Sequence, residues 1–136
     1  MEIENIMFKA KCLDNGEWVE GDLLQNSDGT VWIGDNTGPW TGDGYSHCDN
    51  FQVCKVDPST ACLFTGLKDQ NGKEVWEHDI LESPCLKGEV IFVHGCFRVI
   101  KDNGSSYPFS TLIIIDGKID YCRVVGNKFD RKEGEK

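Results

Sequence analysis

Apolar and polar residues alternate with period two along most of the chain, and no long stretch repeats at 3.6 residues. That pattern predicts short strands whose alternate side chains enter a core. Strands are expected at residues 6–10, 18–24, 30–33, 51–56, 61–64, 74–76, 79–82, 89–93, 97–101, 111–115 and 119–125. Turn chemistry separates them: Asn15-Gly16, Asn26-Ser27-Asp28-Gly29, Asp57-Pro58-Ser59, Asp69-Gln70-Asn71-Gly72, residues 84–88, His94-Gly95, Asp102-Asn103-Gly104 and Asp116-Gly117. Residues 34–46 are Gly-rich, contain Pro39 and read as a loop, and only residues 58–62 suit a short helix or 3₁₀ turn. Many short strands with frequent Gly turns predict a mainly β fold, a small barrel or sandwich of antiparallel strands.

One internal echo suggests a weak duplication. Residues 17–24 (EWVEGDLL) line up with residues 74–81 (EVWEHDIL), each after an Asn-Gly turn, with a one-residue slip. Each half would then begin with a similar β unit.

At 136 residues the chain suits one core and is short for two domains. The expected division is a single β domain over 1–129 and a charged tail over 130–136. Apolar residues at 39 % and charged residues at 27 % argue for a globular chain rather than a disordered one.

The net charge of -9 is uneven. Residues 1–70 carry 12 acids against 4 bases, whereas residues 71–136 carry 11 against 10. Phosphate backbones are bound by Lys and Arg with release of counterions, so this balance makes nucleic acid an unlikely partner. Acids at Glu2 and Glu4 stand where a signal peptide would have bases, and the longest aliphatic run is Leu112-Ile113-Ile114-Ile115. A membrane helix needs about 20 apolar residues. The expected location is the cytoplasm. Seven Cys there read as free thiols, mostly behaving as small buried hydrophobes.

Candidate chemistry is sparse. A phosphate loop needs Gly-Lys-Ser/Thr, and the loop from Gly34 to Gly44 has none. Structural zinc needs closely paired ligands, which His47-Cys48, Cys54 and Cys62 do not supply, and His94-Gly95-Cys96 is broken by a turn. Neighbours on a strand point to opposite faces, so His47 and Cys48 do not form a nucleophile–base pair. No catalytic residue, cofactor or metal is expected. Trp40 in the Gly-rich loop either contacts a partner or pins the loop to the core.

Residues 56–81 form the most distinctive segment. It resembles the YopX-like family of phage and prophage proteins, which carries V-x-P-x-T and then F-T-G-L-x-D-x-N-G-K-E-[IV]-[YW]-E-G-D-[IL]; here these read from Val56 to Thr60 and from Phe64 to Ile80. Phe8-Lys9-Ala10, Trp18-Val19-Glu20-Gly21-Asp22-Leu23, residues 88–97 and Val124-Val125-Gly126-Asn127 resemble further pieces of it. His78 stands where the family has glycine, which argues against a positive φ there. Ala61-Cys62 and the C-terminal end also depart from the pattern. The resemblance implies a mainly β fold carried on a mobile element, and no reaction. Its matched residues read as turn and core. The exceptions are Glu77 and Asp79, two acids expected on one strand face, where they contact a ligand or partner or pair with Lys73 or Arg123. The functional expectation is a non-enzymatic module that binds itself and another protein through edge strands or the Gly-rich loop. A regulatory nucleic-acid or nucleotide binder is the alternative, and a small enzyme or metal protein comes last.

Overall fold

A computed structural model describes residues 5–36 and 51–130 of the chain. Trp40, His47, Cys48, most of the Gly-rich loop and the tail beyond Asp130 lie outside the described residues. The fold is mainly β, as the alternation predicts, and neither of its two sheets closes into a barrel among the described residues. The described chain divides into two compact units at the Leu63–Phe64 boundary.

The first unit is a meander. Strands β1 (Phe8–Lys11), β2 (Trp18–Gln25), β3 (Val31–Asn36) and β4 (Phe51–Val56) pair antiparallel in sequence order. A 3₁₀ turn at Pro58–Thr60 follows, capped by the Asp57 carboxylate on the Ser59 N–H at 3.0 Å. The first residues of β5 (Cys62–Lys68) then return beside β1. The sheet curls enough for Cys12 to bridge Val56, and the Asp57 N–H donates to the Lys11 carbonyl. Ala10, Val31, Ile33 and Val56 form the core, with Phe8, Val19, Leu23 and Cys54 packed against it. Gly21 is required by close packing, because a Cβ there would meet the Gly34 carbonyl of β3.

The curl brings two thiols together: Cys12 and Cys54 form a disulfide, with Cα atoms 6.3 Å apart. This corrects the expectation of free thiols throughout. Free-thiol reasoning from an odd count could not see the curl that brings the end of β1 to β4. Cys85, Cys96 and Cys122 carry free thiols, and the buried Cys62 Sγ donates to the Thr60 carbonyl.

In the second unit β5 continues through Phe64–Lys68 and pairs with β6 (Glu74–Trp76). A five-stranded antiparallel sheet runs β10 (Ser106–Pro108), β9 (Cys96–Ile100), β8 (Leu86–Val93), β7 (Asp79–Ser83), β13 (Arg123–Asn127). A 3₁₀ turn at Phe109–Thr111 leads to the small hairpin β11 (Ile114–Ile115) and β12 (Lys118–Ile119). Asp116 and Gly117 both take positive φ, the conformation a two-residue hairpin loop needs. β12 runs parallel to β5, so the fold is not wholly antiparallel. Val75, Leu81, Val90, Val99 and Ile119 are fully buried, each contributing about 1.5–3 kcal/mol of burial.

The suggested duplication is not a structural repeat. Residues 17–24 lie almost wholly within the single strand β2, whereas residues 74–81 divide into β6, a turn at Glu77-His78 and β7. The alternating letters match. The backbone differs because His78 turns the chain where Gly21 continues a strand.

Candidate functional site

The distinctive segment proves to be a scaffold. Asp69 is 1 % exposed, and its Oδ1 accepts from the Asn71 and Lys73 N–H groups at 2.8 and 2.9 Å. Its Oδ2 accepts from the Val124 N–H at 2.9 Å, so one carboxylate builds the turn and fastens it to β13. The Thr65 hydroxyl donates to the Val75 carbonyl at 2.7 Å, across a bulge in which Gly66 takes φ 85. Phe64 and Trp76 pack with ring centroids 5.2 Å apart.

Glu77 and Asp79 do not share a strand face. Asp79 is 2 % exposed; its Oδ2 accepts from the Trp76 N–H at 2.7 Å and its Oδ1 from Asn127 Nδ2 at 2.9 Å. It closes the β6–β7 turn. Glu77 lies in that turn, half-buried, with its Oε2 3.6 Å from His78 Nε2. Neither acid pairs with Arg123, which bonds to Glu82 instead.

His78 keeps the positive φ that its replacement of glycine argued against, at 71°. Its N–H donates to the Val90 carbonyl, its carbonyl accepts from the Lys128 N–H, and its Nδ1 lies 2.7 Å from Glu89 Oε2. Its ring meets Phe129 edge-on at 5.0 Å. These contacts offset a strained backbone. His78→Gly should therefore change stability by less than about 1 kcal/mol, since relief of strain compensates the lost contacts. His78→Val should cost about 2–3 kcal/mol, because a β-branched residue resists this conformation. Urea denaturation of both variants checks the pair.

The surface of the second unit offers two further features. The first is the edge strand β11. Ile113, Ile114 and Ile115 are 57 %, 41 % and 56 % exposed, while Leu112 just before them packs on the core. The run was visible in the sequence. Its lateral position at the end of the sheet was not, because that depends on β12 pairing with β5. The second feature is a cavity of about 370 Å³ lined by Gln70, Glu82, Ser83, Pro84, Tyr121 and Arg123. Arg123 Nη2 donates to Glu82 Oε1 at 2.7 Å across strands, which lowers the Glu82 pKa from its usual value against the opposing effect of desolvation. Burial raises the pKa of the neighbouring Cys122 thiol and leaves it a poor nucleophile.

Among the described residues no group of three or more His, Cys, Asp or Glu is placed to hold a metal ion, and every buried side-chain nitrogen and oxygen has a hydrogen-bond partner. No described helix is long and apolar enough to cross a membrane.

No curated protein matches the chain at a significant level. The family model described as YopX protein matches residues 7–133, nearly the whole chain. It spans both compact units, including the Asp69 turn, the β6–β7 turn and the β11–β12 hairpin. The chain belongs to the YopX protein family.

Proposed function

We propose that this protein is a non-enzymatic, self-associating interaction module, carried by a phage or prophage and working in the cytoplasm of the bacterial host. Membership of the family supports the origin. The reading rests chiefly on the aliphatic edge: three consecutive exposed isoleucines at the end of a sheet. Exposed apolar edge strands pair readily with other chains, and natural proteins usually blunt them with charge, proline or a covering element. Here the flanking charges, Asp116 and Lys118, sit in and after the hairpin turn rather than among the isoleucines.

A second copy is the simplest occupant. Two β11 strands meeting antiparallel about a two-fold axis would bury the same side chains on both partners. Native mass spectrometry of the wild type should then show a dimer. Ile113→Lys with Ile115→Lys should shift it to monomer while leaving the circular dichroism spectrum unchanged, since both positions are exposed. A wild-type monomer throughout the micromolar range, or an unaltered dimer in the double variant, would defeat the proposal.

A further inference from the structure

Between β12 and β13 the backbone of Tyr121 takes φ 65, in the left-handed region that side-chain-bearing residues rarely adopt. Core packing does not account for it, because Tyr121 is 65 % exposed. Strain held at an exposed aromatic is the kind found at ligand clamps. The residue borders the cavity of about 370 Å³, whose walls are fixed. The Gln70 N–H donates to the Cys122 carbonyl at 3.0 Å, and Arg123 stands opposite Glu82 in the β13–β7 register.

The walls carry three kinds of recognition chemistry. Tyr121 offers an aromatic face. Gln70 is exposed, and its carboxamide, a donor beside an acceptor, takes no partner among the described residues. Arg123 commits Nη2 to Glu82, and with its side chain 56 % exposed its other guanidinium N–H groups face outward for a ligand. That ion pair also neutralises Glu82, the one carboxylate among the residues lining the cavity.

We propose that this cavity binds a single nucleotide, with the base stacked on Tyr121, the base edge read by Gln70, and the phosphate held by Arg123. Bases are recognised by stacking on aromatic or guanidinium planes and by hydrogen bonds along their edges. An uncharged amide would leave the Arg123 charge uncompensated and the Tyr121 face without a ring to stack on, whereas a nucleotide engages all three groups. The volume lies at the small end of the roughly 300–1,000 Å³ typical of ligand pockets, which suits one nucleotide. The acidic chain would repel a nucleic-acid strand. The proposal is independent of association through β11.

The test is titration of the full chain with AMP, GMP, CMP and UMP in turn, followed by amide chemical shifts and calorimetry. At least one should bind saturably and move the amide signals of Gln70, Tyr121 and Arg123. Tyr121→Asn suits the left-handed backbone, so it should fold at least as stably yet bind about tenfold more weakly. Gln70→Ala should flatten the preference among bases. Absence of saturable binding in the millimolar range, shifts confined to other residues, or undiminished affinity in Tyr121→Asn would overturn the proposal.

Discussion

Asp69→Ala is expected to destabilise the protein by about 4 kcal/mol. Hydrogen bonds to a charged acceptor contribute about 1.5–3 kcal/mol each, and Asp69 accepts three from backbone N–H groups. The full sum is not lost, because Asn71 and Lys73 lie on an exposed turn where water replaces the carboxylate. The Val124 N–H is less accessible and would keep most of its penalty. Asp69→Asn should cost less, about 2–3 kcal/mol, since its one carbonyl oxygen can still serve the turn while the amide group faces a donor. Against a typical total of about 5–15 kcal/mol, the alanine change brings the protein close to unfolding at physiological temperature. Denaturant titration of both variants reads the difference. A loss below about 1 kcal/mol in Asp69→Ala would mean that the carboxylate does not organise the turn.

This expectation bears on how the family motif is understood. Thr65, Gly66, Asp69, Asn71-Gly72 and Asp79 shape two turns and a bulge, which agrees with reading the matched residues as turn and core. The strands were legible for the same local reason. Alternation exposes a half-buried face, and Gly after Asn or Asp marks the hairpins, so residues 51–56 and 74–76 agree with β4 and β6 to the residue. Where the outcome depended on distant partners, sequence reasoning failed. Nothing in the sequence announces β10, because Tyr107-Pro108 offers no alternation, and proline there is tolerated because the strand lies at a sheet edge. The aliphatic run predicts one strand over residues 111–115, but the 3₁₀ turn at Phe109–Thr111 turns Leu112 inward and leaves only Ile114–Ile115 as strand.

The candidate sites divide in the same way. The acids at 77 and 79 were evident as letters, yet Asp79 is committed to the Trp76 N–H and to Asn127, 48 residues away. Two-residue spacing implied a shared face only if the strand continued, and His78 ends it. Tyr121 gave no signal, because a left-handed tyrosine is decided by the hairpin and β13 on either side of it rather than by its neighbours in sequence.

Opening the Cys12–Cys54 disulfide is expected to lower stability by about 3–4 kcal/mol, with the loss confined to the unit that contains it. The bridge spans 42 residues, and closing a loop of that length removes conformational entropy from the unfolded chain worth about 4 kcal/mol at 25 °C. The folded state should survive reduction. The Cys12–Val56 bridge, the Leu13 N–H on the Lys55 carbonyl and the Asp57 N–H on the Lys11 carbonyl hold β1 to β4 without the sulfurs. Reduction should therefore leave the circular dichroism spectrum native while moving the denaturation midpoint down, and Cys54→Ser should reproduce the reduced midpoint. Peptide mapping without reductant should recover the Cys12 and Cys54 peptides joined. Disulfides are rare in a glutathione-poised cytoplasm, so the proposed location makes the reduced form the more relevant one in the cell. Identical midpoints with the bridge closed and open would show that the curled sheet already restrains the chain as tightly as the covalent bond does.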